Sequence, residues 1–336
     1  WIIGQHHVHM IPRGLPGEPQ DQDRVVDGAG EAPLEELGAP VQFDQAALSK
    51  ISGQITGDLN VTMTKADSNK LSEADKLLVG SRPVYEFAVK SGSTTISEFG
   101  GKASVSIGYE LVAGEDPNSI LIYYIDKDGK LELVKNSRYN ETTKRVDFTT
   151  DHFSAYAVGY HPVTFQDTKT HWAKYSISFL AARGIIKGMT SDTFLPGKTV
   201  SRAEFVTILA NKAGVDLAAY QSTGQGYADV KSSDWFAKAV AWASDQGVVN
   251  GSQIKDGSMK FDPNANITRQ DMAVILSRYL SKVEKTTLAT PNVAVTFSDQ
   301  GKIASYASFA VKNMQQAGII NGKTTTTFAP VDSATR

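Results

Sequence analysis

Three times in its second half the chain runs through the same series of landmarks, and internal periodicity of that kind restricts a fold more than composition does. The first copy occupies Thr164 to Gly214. Aligned on the glycine that ends the first helix, the copies open with Phe165 and Asp167, Tyr227 and Asp229, and Phe297 and Asp299. An aromatic residue then starts each first helix, at Trp172, Trp235 and Tyr306. Glycine pairs follow at Gly184 and Gly188, Gly247 and Gly251, and Gly318 and Gly322. Phe-x-Pro comes next, at Phe194, Phe261 and Phe328, and then SRAE from Ser201, TRQD from Thr268, and TR at Thr335 and Arg336, the last two residues of the sequence.

Each landmark has a physical meaning. Ile177, Phe179 and Leu180 in the first copy, and Val240, Trp242 and Ala243 in the second, give one apolar helix face. Gly184, Gly247 and Gly318 stand where a helix favours a left-handed C-terminal residue. Ser201 with Glu204 and Thr268 with Asp271 have the spacing of capping boxes. Apolar faces resume at Phe205, Ile208 and Leu209, and at Met272, Ile275, Leu276 and Tyr279. Each copy thus reads as a helix, a long ordered loop and a second helix.

This combination resembles the S-layer homology module, the wall-anchoring repeat of bacterial surface proteins, over roughly the last half of the chain. The resemblance implies an all-α bundle of three modules with pseudo-threefold symmetry. It also implies grooves between modules that hold a secondary cell-wall polysaccharide, often one bearing a pyruvyl ketal. Two departures stand out: the third copy stops at Arg336, before its second helix, and Tyr306 replaces the helix-opening Trp. The copies divide as 161–220, 221–290 and 291–336.

Residues 43–160 show short alternating runs instead: Leu59 to Met63, Val84 to Val89, Ala103 to Leu111, Ile120 to Ile125, Leu131 to Val134, Val146 to Phe148 and Tyr156 to Val158. Turn clusters separate them, with Asp126-Lys127-Asp128-Gly129 the best hairpin candidate. Such spacing predicts an antiparallel β-sandwich. The runs YYIDKDGKLELV and VDFTTDHFSAYAVGY resemble a β-domain that precedes wall-anchor modules in surface proteins of Paenibacillus-like bacteria. Asp126, Asp128 and Gly129 lack the register of a calcium loop, because Tyr124 falls where the first carboxylate is required. His152, near Asp151 and Ser154, has no nucleophile-elbow context. Residues 1–42, rich in Pro, Gly and acids, read as a disordered leader or an artefact; His6, His7 and His9 there have no Cys or acid partner in a defined element.

A formal charge of -2 and a pI near 6.3 give no electrostatic case for nucleic acid or an anionic membrane. The absence of cysteine excludes disulfides and thiolate chemistry. No apolar run reaches the ~18 residues of a membrane span. The sequence begins at Trp1 with nothing like a signal peptide, so it reads as the C-terminal fragment of a larger surface protein.

Candidate site residues come from the repeats. Arg202, Arg269 and Arg336 oppose the helix dipole in a first helical turn. Either a neighbouring acid such as Glu204 or Asp271 compensates, or the guanidinium and the free helix amides hold a carboxylate. A pyruvyl ketal supplies such a carboxylate. Trp172, Trp235 and Tyr306 serve either as core rings or as platforms for a sugar face. Gly188, Gly251 and Gly322 suit turns with positive φ and also admit a ligand to the backbone. Lys187, Asn250 and Asn321 beside them can line the groove, and Asp167, Asp229 and Asp299 read as loop or helix caps, with a ligand hydrogen bond as the lesser alternative.

The expectation is a non-catalytic, peptidoglycan-associated anchor that binds a pyruvylated secondary cell-wall polysaccharide. It needs no cofactor or metal, takes no nucleic-acid partner, inserts in no membrane, and works outside the cell on the wall. Two rival parents stay open: a surface glycoside hydrolase with its catalytic domain upstream, or a lattice-forming S-layer protein.

Overall fold

The computed structural model describes residues 41–68, 71–221 and 226–336. His6, His7 and His9, with the rest of the leader up to residue 40, lie outside the described residues. The chain divides into two compact units: one reaches to Val163 and also takes in Ala173–Arg183, and the other comprises Thr164–Trp172 and Gly184–Arg336.

The first unit holds β1 (Val41–Phe43), α1 (Gln45–Ser52), β2 (Leu59–Lys65), α2 (Glu73–Val79), β3 (Val84–Ser91), β4 (Thr94–Thr95) and β5 (Glu98–Gly108). It continues with β6 (Ile120–Ile125), β7 (Leu131–Val134), β8 (Arg138–Asn140), β9 (Arg145–His152), β10 (Ala155–Tyr160) and α3 (Lys174–Ala182). One antiparallel sheet runs β1-β5-β9-β8 and the other β2-β3-β10-β6-β7, with β4 beside β3. Phe99 and Phe148 from the first sheet meet Phe87 and Tyr156 from the second in one core. Leu121, Tyr123 and Ile125 of β6 point the other way, into a second cluster with Leu71 and Val79. The larger sheet is therefore covered on both faces, which is why ILIYYI is nearly continuous in apolar residues rather than alternating.

The turn at Asp126 closes a hairpin between β6 and β7. Gly129 takes φ 80°, and one carboxylate oxygen of Asp126 accepts from the amides of Asp128 and Lys130 at 2.9 and 2.8 Å. His152 pairs with Asp151 at 2.8 Å, whereas the Ser154 hydroxyl donates to the Ile125 carbonyl.

The second unit contains α4 (Arg202–Lys212), α5 (Ala237–Asp245), β11 (Ser252–Gln253), β12 (Met259–Lys260), α6 (Arg269–Lys282) and α7 (Ser305–Gln316). Here the expected fold class needs correction. The repeats are not an all-α bundle, and the chain as a whole is mixed α/β, with a β-rich first unit that carries helices. Nine residues separate Gly251 from Phe261 in the second copy, against five between Gly188 and Phe194 and five between Gly322 and Phe328. The extra length folds into the hairpin β11–β12. In addition, the segments entering the second helices are extended and bridge one another, Thr199 to Thr335, Ser201 to Asn266 and Thr268 to Ser333. Helix periodicity on either side conceals these short pairings.

Those bridges close a ring. The Val200 amide donates to Ala334, Ala334 to Ile267 and Ile267 to Val200, at 3.0, 3.0 and 2.9 Å. Val200 and Ile267 are buried there. The third copy enters the ring through Ala334, with Thr335 bridging Thr199 beside it.

Candidate functional site

The site grows from a loop held in the same way three times. Asp167 accepts from the amides of Phe194 and Leu195, Asp229 from Phe261 and Asp262, and Asp299 from Phe328 and Ala329, all at 2.6–2.9 Å. The middle residue of each Phe-x-Pro, Leu195, Asp262 or Ala329, sits at φ 57–59°. A side chain resists that left-handed backbone, and the carboxylate clamp stabilises it. Of the two capping roles open to these acids, loop or helix, the structure shows the loop. Backbone donors, that of Phe194 first for Asp167 and that of Phe328 first for Asp299, hold both carboxyls below the ordinary 3.8.

The clamped loop presents a phenyl ring and a carbonyl to the arginine of the preceding copy around the ring. Arg202 Nε donates to the Phe261 carbonyl at 2.9 Å, with its guanidinium 5.0 Å from that ring's centroid. Arg269 does the same at Phe328, at 2.9 and 4.9 Å. Arg336 lies 4.8 Å from the centre of the Phe194 ring. Beyond this shared seat the three differ. Arg269 Nη2 donates to the Asn321 carbonyl at 2.6 Å, and Arg336 Nη2 to the Lys187 carbonyl at 2.6 Å. Among the described residues the outer nitrogens of Arg202 make no hydrogen bond; Nη1 lies 3.8 Å from Asp271.

Arg202 borders a groove of about 570 Å³, lined also by Asn250, Gly251, Asp271, Arg278 and Tyr306. Its floor includes Val274 and Ile275, both buried. The Tyr306 hydroxyl donates to Asp271 at 2.7 Å, and burial first, then that carboxylate, push the phenol up to about 12. Gln270 fixes the start of α7 by accepting from the Ala304 amide at 3.0 Å. Only half of the second expected capping box forms: Thr268 caps the Asp271 amide, while the Asp271 carboxylate turns to Tyr306. The first box, Ser201 with Glu204, is complete.

Four predicted residues, Arg202, Asn250, Gly251 and Tyr306, are thus brought together, and the others stand elsewhere on the ring. Trp172, Trp235 and Tyr306 are 89%, 66% and 61% exposed, so none of the three is a core ring. Lys187 and Asn321 contribute carbonyls to the seats of Arg336 and Arg269. Of the second glycines, Gly251 alone takes positive φ, 65°. At Gly188, Gly251 and Gly322 a Cβ would come within 2.5, 2.4 and 2.7 Å of a carbon of the Phe165, Tyr227 or Phe297 ring. The opening aromatic of each copy, together with loop carbonyls of Thr190, Lys260 and Thr324 at 2.3, 2.6 and 2.3 Å from the same Cβ, requires glycine there.

Sequence reasoning passed over Arg278 and Arg183. Arg278 lies seven residues after Asp271 on α6, hence on the same helix face, and that i, i+7 spacing was the available signal. Arg183 is fully buried in the first unit, donating to the carbonyls of Ser137, Asn118 and Ile120 at 2.8 Å each. Burial pulls its guanidinium down to about 10. It fixes α3, the first helix of the first copy, onto the β-rich unit, and Gln246 and Ala317 occupy its place in the other copies.

The family model of the S-layer homology domain matches residues 164–206, 226–273 and 296–336. An amylopullulanase of Thermoanaerobacterium thermosulfurigenes is 33% identical over 73% of this chain and 12% of its own length. An exoglucanase of Acetivibrio thermocellus is 38% identical over 52% of this chain and 15% of its own. A surface-layer 125 kDa protein of Lysinibacillus sphaericus is 33% identical over 39% of this chain and 11% of its own. The chain therefore spans only a small part of each relative. The amylopullulanase match, 247 residues long, exceeds the repeat region and so reaches into the β-rich unit. The chain therefore carries, within residues 164–336, three S-layer homology repeats.

Proposed function

We propose that this chain holds a surface protein on the bacterial cell wall by binding a pyruvylated, peptidoglycan-associated secondary polysaccharide in the groove at Arg202. S-layer homology domains anchor surface proteins to the cell wall, and what supports a ligand at this groove is the unspent end of the Arg202 guanidinium. A planar fork whose outer nitrogens make no hydrogen bond among the described residues and face only Asp271, 3.8 Å from Nη1, above a partly apolar floor suits a carboxylate carried on a sugar ring. Asn250 and Gly251 offer backbone and amide groups beside it, and Tyr306 offers a half-exposed ring. Trp172 and Trp235 remain exposed platforms of the same kind at the other two helix starts. Arg269 and Arg336, each with Nη2 on a carbonyl, act first as ties of the ring. No helix among the described residues is long and apolar enough to cross a membrane. Attachment through sugar needs none.

The parent we favour is a surface glycoside hydrolase, because the match to the amylopullulanase continues into the β-rich unit. A lattice-forming surface-layer protein is the second reading, favoured by the Lysinibacillus sphaericus relative. Co-sedimentation with Gram-positive walls, before and after chemical removal of the secondary polysaccharide, tests the anchor. Retention lost on stripping and lost in folded Arg202→Ala supports it; equal retention on stripped walls refutes it.

A further inference from the structure

The groove has a second cation that the anchor reading does not use. Asp271, Val274, Ile275 and Arg278 all line it, at the i, i+3, i+4 and i+7 positions of one face of α6. At 1.5 Å per residue, Arg278 stands about 10 Å along the axis from Asp271, and so from the end where Arg202 and Tyr306 meet that acid. The two groove carboxylates are already engaged. Asp271 accepts from the Tyr306 hydroxyl and faces Arg202, and Asp262 pairs with Lys260 at 3.0 Å. Arg278 is half-buried, and among the described residues no ion pair or hydrogen bond holds its guanidinium. The equivalent position of the first copy is Asn211, so this second guanidinium is not part of the repeated pattern.

We infer that Arg278 is a second anion-binding residue and that the groove takes a stretch of glycan with two acidic groups, one at Arg202 and the other at Arg278. The inference rests on the groove being the polysaccharide site. The buried Val274 and Ile275 side chains between the two guanidinium groups give the intervening sugar an apolar floor. A cation with no protein partner at a partly desolvated site is stabilised by an anion brought by the ligand, and a guanidinium favours a carboxylate by its fork. Single-ketal sugars satisfy one end only.

The test uses the full 336-residue chain and two probes in calorimetric titration: a methyl glycoside with one pyruvyl ketal, and a wall-polysaccharide oligosaccharide with two ketals. The wild-type chain is expected to bind the two-ketal probe roughly tenfold more tightly, the worth of one charge-assisted hydrogen bond. Arg278→Gln removes that preference, while Arg278→Lys restores part of it. An unchanged urea midpoint for both variants shows that the fold is intact. Equal wild-type affinity for the two probes, or a preference that survives Arg278→Gln, overturns the inference and leaves the groove reading standing. Wild-type chain that binds neither probe overturns both.

Discussion

Arg202 and Arg269 hold the same place in the motif, each directly after the N-cap of its helix, and each sets Nε on the equivalent phenylalanine carbonyl, at 2.9 Å. They differ at the outer nitrogens: Arg269 gives Nη2 to the Asn321 carbonyl, whereas those of Arg202 make no hydrogen bond among the described residues and Nη1 faces Asp271 at 3.8 Å. The cause lies in the loop each one faces. Around Arg269 that loop is the short one after Gly322, tightened by the Thr324 hydroxyl, which accepts from the amides of Thr326 and Thr327. Around Arg202 it is the longer one that carries β11 and β12 and turns at Gly251 with φ 65°. Repetition of the motif thus fixes where an arginine sits, and the loop opposite decides whether it meets one carbonyl or two; the proposed ligand role falls to the arginine that meets one.

Alanine substitution should separate the two roles most sharply. Arg202→Ala is expected to lower wall binding at least about tenfold while costing about 1 kcal/mol of stability, the worth of one lost hydrogen bond. Arg269→Ala removes two charged hydrogen bonds to carbonyls and should cost about 2–3 kcal/mol in a urea titration, with a smaller effect on binding. The same loss of binding in both variants, or the same loss of stability, would erase the distinction. Shortening the loop tests its cause. Deleting Ile254 to Gly257 leaves five residues between Gly251 and Phe261, as in the other copies. Arg202 should then find the Asn250 carbonyl, and wall binding should fall by about tenfold with stability held or raised by about 1 kcal/mol.

The repeated frame was legible in the sequence because its causes are local. A glycine after a helix, a serine three residues before a glutamate and an aromatic at a fixed offset each act within one turn, and Gly184, Gly247 and Gly318 take φ 61°, 63° and 72° as that reasoning requires. What was not legible depends on neighbours in space. Nothing near Arg202 in the chain says that its partner is the loop after Gly251. Nothing in AARG says that Arg183 is enclosed by three strand-end and loop carbonyls. The all-α expectation failed for the same reason: two-residue strands and single bridges carry no periodic signal, so the mixed character of the repeats emerges only when extended segments meet. β6 was expected among the alternating runs, but ILIYYI does not alternate, because both of its faces are buried.

Tyr306→Phe is a finer probe of the same groove. It removes the hydroxyl donated to Asp271 and frees that carboxylate for Arg202, 3.8 Å away. The expected cost is about 1 kcal/mol of stability, with a few-fold drop in wall binding as Asp271 competes for the guanidinium. Enhanced binding in this variant would mean that Asp271 does not restrain Arg202.

The smallest expected effect concerns the clamps that all three seats share, where the copies should behave alike. Asp167 and Asp299 have folded-state carboxyls depressed below 3.8 by amide donors. Their contribution is therefore present above the unfolded value and is lost as pH falls through the lower folded values. Stability of the repeat unit should accordingly decline below about pH 4, before any change at neutral pH. Asp167→Asn with Asp299→Asn keeps one acceptor at each loop and removes the titration, so the acid side of a stability-against-pH curve should flatten. An unaltered acid limb in that double variant would assign the decline to other carboxylates, and the clamps would then count only as geometric holders of the left-handed residues at Leu195 and Ala329.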